Sequence, residues 1–181
     1  DLGALMKVST AINAIRGLDA LLQRLLELLF EVVPAQRGAI LLTTGDALDD
    51  RVVFGLDRKH GKDQPVNVSR TIVQQVLRDG FAVLASDAAA QPKFATESFI
   101  ETRAHSVMCV PLVMFERKLG VLYLDSTNSR DKFNKDHLQL VTAIASIAAV
   151  AIENARHFEW LENENERLLA DVNIEHNMVG E

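Results

Sequence analysis

The chain is 181 residues long, 48% hydrophobic and 24% charged, with a formal net charge of -6. These proportions exclude a disordered chain, and the acidic balance disfavours contact between this segment and a phosphate backbone. A single cysteine, Cys109, excludes an internal disulfide framework and any multi-cysteine zinc site, which fits a reducing, cytoplasmic setting.

The sequence opens on Asp1 with no secretory signal, as expected of a segment of something longer. Residues 2–16 space Leu2, Leu5, Met6, Val8, Ile12 and Ile15 as a helix does, and Gly17 is a stop. Asp19 is a candidate cap for a second helix, LLQRLLELLFEVV, which ends before Pro34. That helix is apolar on nearly every side, so two of its faces need cover. One sheet supplies only one, and the expectation is that a second copy of the chain supplies the other, with Leu22, Leu25 and Leu29 in the contact.

From Arg37 the texture changes. GAILLTT (38–44) and RVVFGL (51–56) read as strands around the Gly45-Asp46 turn, and the polar stretch 57–66 reads as a loop. Ser69 caps a helix, RTIVQQVLRDG, that stops at Gly80. FAVLAS (81–86) is a short strand, and residues 87–104 read as a loop with room for one helical turn of its own. Two apolar strands flank Glu116-Arg117-Lys118 in SVMCVPLVMFERKLGVLYLDS (106–126). Asn134 or Asp136 then starts a long helix reaching about Val172. Its apolar part, 138–152, is shorter than the roughly 20 residues a membrane span needs and reads as a buried helix. This order gives an α+β fold: a central antiparallel sheet of five or six strands, terminal helices on one face, and a loop and helix segment over the other. The hairpin 106–126 is expected at its centre.

Three stretches in succession, NVSRTIVQQVLRDGFAVLASDA, SVMCVPLVMFERKLGVLYLDS and FNKDHLQLVTAIASIAAVAIENAR, resemble the GAF domain over about residues 18–157. Residues 1–17 are then an N-terminal helix or signalling linker, and 158–181 a helical linker to an output domain. The resemblance implies a sensory module without catalytic residues, its ligand held between the sheet and the cover at about 56–60 and 84–105. Cyclic-nucleotide-binding GAF domains resemble one another in an Asn-Lys pair after the last strand; Asp125-Ser126 stands there instead, and Asp136-His137 replaces the Asp-Glu that follows Phe133. Cys109 is followed by Val110, unlike the Cys-His of bilin-binding members, and one cysteine cannot form the internal disulfide of members that reduce free methionine sulfoxide. The end of the chain, LENENERLLADVNIEHNMVGE, resembles the linker into the AAA+ ATPase domain of bacterial sigma-54-dependent transcriptional activators, where a phrase like Met178-Val179-Gly180-Glu181 opens the ATPase. A histidine kinase or nucleotide cyclase is the alternative output, and a purely structural dimerisation module the alternative role.

Candidate ligand contacts are Ser86 and Asp87 at a strand end, Phe94, Arg103 and His105 at the rim, and Tyr123 with Asp125 on one side of the last strand. Arg103 suits a carboxylate or phosphate; surface solvation is the favoured account of it and of His105. The residues identify no cofactor, and the five histidines show no ligand spacing for a metal. No Gly-rich phosphate loop or nucleophile elbow occurs. Residues 151–175 form a heptad with Ala151, Phe158, Asn165 and Val172 at a, and Asn154, Leu161, Leu168 and Glu175 at d. Phe158, Leu161, Asn165 and Leu168 are therefore expected at a homodimer interface, against the self-repulsion of Glu159, Glu162, Glu164 and Glu166.

Overall fold

The computed structural model describes residues 2–44, 52–62, 64–86 and 103–179. The elements run α1 (Leu2–Asn13), α2 (Leu18–Val32), β1 (Arg37–Leu42), β2 (Val52–Asp57), α3 (Arg70–Asp79), β3 (Val83–Ala85), β4 (Ser106–Met114), β5 (Arg117–Ser126) and α4 (Lys135–Val179). The five strands form one sheet in the order β2-β1-β5-β4-β3, with every neighbouring pair antiparallel. The β4–β5 hairpin thus holds the centre, as its unbroken apolar runs require of strands covered on both faces.

Alternation along the strands divides two cores. Ile40, Leu42, Met108, Val110, Leu122 and Leu124 face α1, α2 and α4. Ala39, Leu41, Val107, Cys109, Val121 and Tyr123 face α3 through Ile72, Val73, Val76 and Leu77. The register breaks once in the hairpin, between Leu112 and Val113. There Gly120 adopts φ 157°, and a Cβ on it would lie 1.9 Å from the Leu41 carbonyl oxygen, so the strand crossing is possible only without a side chain.

The Ser69 hydroxyl accepts from the Ile72 amide, and Gly80 closes α3 at φ 75° in the left-handed region. Asn134 Oδ1 accepts from the His137 amide at 2.9 Å, while His137 Nδ1 accepts from the Asn134 amide at 3.1 Å, a reciprocal cap that starts α4. Asp19 does not cap α2. Gly17 stands at the N-cap without a side-chain bond, and the free Leu18 amide is met by Glu159 of α4 at 3.0 Å.

A further correction concerns Leu22, Leu25 and Leu29. All three are fully buried within the chain's own core. The second covering layer over α2 is α1 and α4 of the same molecule, so these leucines present no surface to another copy.

Helix α4 spans 45 residues and outruns the body it belongs to. Its buried residues lie between Val141 and Ala155, mostly alanines that let the helix approach the sheet closely. From Phe158 onward its large apolar side chains are exposed. By length and apolar composition α4 alone among the described residues meets the requirement for crossing a membrane, and 44% of its most apolar window is buried inside the fold. A core helix of this kind needs no lipid to account for its hydropathy.

Candidate functional site

The sheet face beneath α3 carries the polar constellation. β1 begins at Arg37 and β5 ends at Asp125-Ser126, and antiparallel pairing sets Arg37 opposite Asp125. Arg37 Nε donates to Asp125 Oδ1 and Nη2 to Oδ2, both at 2.8 Å. The Tyr123 hydroxyl, two residues earlier on the same side of the strand, donates to Asp125 Oδ2 at 3.2 Å. Asp125 and Tyr123 are fully buried, whereas the Arg37 side chain keeps 17% of its surface. Such a fork on a carboxylate fixes both partners in one plane.

Charge at this position is expensive and is offset locally. Burial pushes the Asp125 carboxyl up to about 6, against the downward pull of the Arg37 guanidinium and the Tyr123 hydroxyl. It therefore remains a carboxylate at neutral pH. Burial, reinforced by the neighbouring Asp125 charge, holds the Tyr123 phenol well above its ordinary value, so it stays a donor. Burial works to lower Arg37, but its hydrogen bonds and attraction to Asp125 outweigh that, and the net movement is upward. Beside them, Asp57 of β2 pairs in register with Arg37 and accepts from the Lys59 and His60 amides.

The structure brings together two of the residues singled out in the sequence, Tyr123 and Asp125, and both face the α3 side. Their polar atoms are engaged with each other and with Arg37, making a rigid floor. Ser86 turns elsewhere: its hydroxyl donates to the Phe133 carbonyl at 3.1 Å and ties the end of β3 to the approach to α4. Arg103 is exposed at φ 55°, a left-handed conformation uncommon outside glycine. His105 is exposed, and its amide donates to the Ser126 carbonyl at 2.8 Å. Asp87 and Phe94 lie outside the described residues.

Sequence reasoning passed over Arg37 and Ser106. Arg37 bears the one signal available, a cation opening an otherwise apolar strand. Ser106 is buried, and its hydroxyl accepts from the Phe133 amide at 3.1 Å; a serine at a strand's first residue gives no sign of such a partner. Cys109 is fully buried in the same core, and burial pushes its thiol far up, so it is protonated and unreactive. Among the described residues no three or more His, Cys, Asp or Glu side chains converge as a metal site would require.

With this geometry, the chain can be set beside known proteins. The family model of the GAF domain matches residues 17–152. No curated protein sequence matches the chain. Among solved structures, the GAF domain of a phosphoenolpyruvate-protein phosphotransferase from Coxiella burnetii superposes with a TM-score of 0.66 at 20% identity, over 86% of this chain and 94% of that one. The free methionine-R-sulfoxide reductase of Neisseria meningitidis, solved with its substrate, gives 0.64 at 20% identity, over 85% and 89%. The corresponding phosphotransferase GAF domain from Acinetobacter gives 0.65 at 17% identity, over 86% and 94%. At these identities the likeness is one of fold.

Proposed function

The chain belongs to the GAF domain family, and from that premise we propose that it is a sensing module which controls an output domain attached through α4. The output we favour is the AAA+ ATPase of a sigma-54-dependent transcriptional activator, on the resemblance of residues 161–181 to the linker that enters such a domain. The observation that carries the proposal is α4 itself. One continuous helix is core for the sensing fold over Val141–Ala155 and exposed from Phe158 onward. A change in how its first half packs is thereby a change in where its second half points.

The module acts as a homodimer through its terminal helices in this reading. Phe158, Leu161, Leu168 and Val172 are exposed at heptad spacing, and Asn165 stands among them at a position that favours a two-stranded, in-register pair. A groove of about 330 Å³ between α1 and α4, lined by Ile12, Ile15, Asn154 and Phe158, continues the same seam toward the body. Unlike the superposed Neisseria protein, the chain is read as sensing rather than catalysing, since its one cysteine is buried and protonated. Deleting residues 1–157 from the intact protein is expected to change its output activity, and unchanged output would remove the proposal. A purely structural dimerisation module is the second reading, favoured by the fully engaged hydrogen bonds of Tyr123, Asp125 and Arg37.

A further inference from the structure

Away from the α3 face, a cleft of about 500 Å³ opens at the end of the sheet where β1 begins and where β2 and β5 end. Its volume is that of a site for a small metabolite. Gln36, Arg58, Lys59, Thr127, Asn128 and Asp131 supply its polar lining.

The walls are held by their own hydrogen bonds. Arg58 donates through Nε to the Ala35 carbonyl at 3.0 Å and through Nη2 to the Phe30 carbonyl at 2.6 Å. The Thr127 hydroxyl donates to the Gln36 side-chain carbonyl. Asn128 donates through Nδ2 to Asp131 Oδ2 at 3.1 Å and accepts from the Arg130 amide at 3.0 Å.

What remains unspent defines the ligand. The Lys59 ammonium has no partner among the described residues; its backbone amide alone is engaged, with Asp57. The Gln36 side-chain N–H groups are likewise not committed among the described residues, because that amide is held through its oxygen. At the opposite wall, Asp131 uses one of its two oxygens among the described residues. The cleft therefore offers donors and positive charge at one pole and a carboxylate acceptor at the other, with two cations against one anion among the described lining residues.

We propose that this cleft is a second ligand site, for a small molecule that carries a carboxylate or phosphate beside an ammonium or hydroxyl group. The oxyanion meets Lys59 and the Gln36 amide, and the ammonium or hydroxyl donates to Asp131. The position gives such a ligand leverage. Gln36 adjoins Arg37, and its amide donates to the Asp125 carbonyl at 2.9 Å. Asp131 lies in the segment that leads into α4. A ligand spanning both would tie the end of β2 to the approach of the output helix, independently of anything bound beneath α3.

The test is a titration of ¹⁵N-labelled protein, followed by NMR, with inorganic phosphate, L-serine and O-phospho-L-serine as separate probes. L-serine or O-phospho-L-serine should move the amides of Gln36, Lys59, Asn128 and Asp131 in a saturable way, with a Kd of about 1 mM or tighter. Which of the two binds tighter tells carboxylate from phosphate. Lys59→Ala should weaken that binding about tenfold or more, the worth of one charge-assisted contact. Asp131→Asn should do the same, while leaving inorganic phosphate unaffected. Both side chains are exposed, so unchanged melting temperatures will show both variants folded. The proposal is overturned if no probe shifts these amides saturably, if both variants titrate like the native protein, or if inorganic phosphate binds as tightly as the two larger probes.

Discussion

Replacing Asp125 by Leu removes both acceptor oxygens, so the Arg37 and Tyr123 donors that meet there lose that partner inside the fold. The expected loss of stability is about 3 kcal/mol, read from urea unfolding near neutral pH. Replacing both partners together, Arg37→Met with Asp125→Leu, should recover much of it, because the donors of the fork are then gone as well. The pH dependence has a defined sign. The folded state raises the Asp125 pKa from 3.8 to about 6, so it holds that proton more tightly than the unfolded chain does. The contribution is fully present below about pH 4 and declines as pH rises through about 6. The slope of stability against pH in that window should flatten in Asp125→Asn, and identical slopes in the two proteins would contradict the assignment. Gly120 is the other sensitive residue. With its Cβ position 1.9 Å from a carbonyl oxygen, Gly120→Ala should cost about 3 kcal/mol or more, through displaced backbone and lost pairing between β1 and β5. An unaltered denaturation midpoint would show that the strands pass one another differently.

At the scale of elements, local chemistry was legible and distant chemistry was not. Ser69 and Gly80 announce both ends of α3, and the structure uses them as written. Ser69→Ala should therefore cost about 1 kcal/mol, seen as faster amide exchange in the first turn of α3. The alternation in 106–126 likewise marks a central hairpin, and the partition of its side chains between two cores follows from the period of two alone. Asp19 misled because the true partner of the Leu18 amide, Glu159, lies 141 residues away. Arg37 was missed for the same reason: its carboxylate is 88 residues distant. The two-sided apolarity of α2 correctly demanded two covering layers, but no local pattern could show that α1 and α4 close over it from opposite ends of the chain. Of the ligand face, Tyr123 and Asp125 were legible as one side of a strand, whereas their engagement with Arg37 depends on register across the sheet. Asp87 and Phe94 lie outside the described residues.

For the whole molecule, the central matter is what the projecting half of α4 does. A helix with exposed Phe158, Leu161, Leu168 and Val172 in heptad register gains by pairing. Light scattering should return twice the chain's 20.0 kDa, and Leu161→Lys with Leu168→Lys should return the single-chain mass without loss of the fold. A native protein that stays monomeric at high concentration would refute the pairing. Transmission through the helix is tested most directly by altering its phase in the intact protein. One full heptad inserted after Arg167 preserves the seam, whereas two inserted residues rotate everything beyond them by about 200°, to the opposite side. Output control should survive the full-heptad insertion and be lost with the two-residue insertion. Equal output from both insertions and the native protein would contradict it.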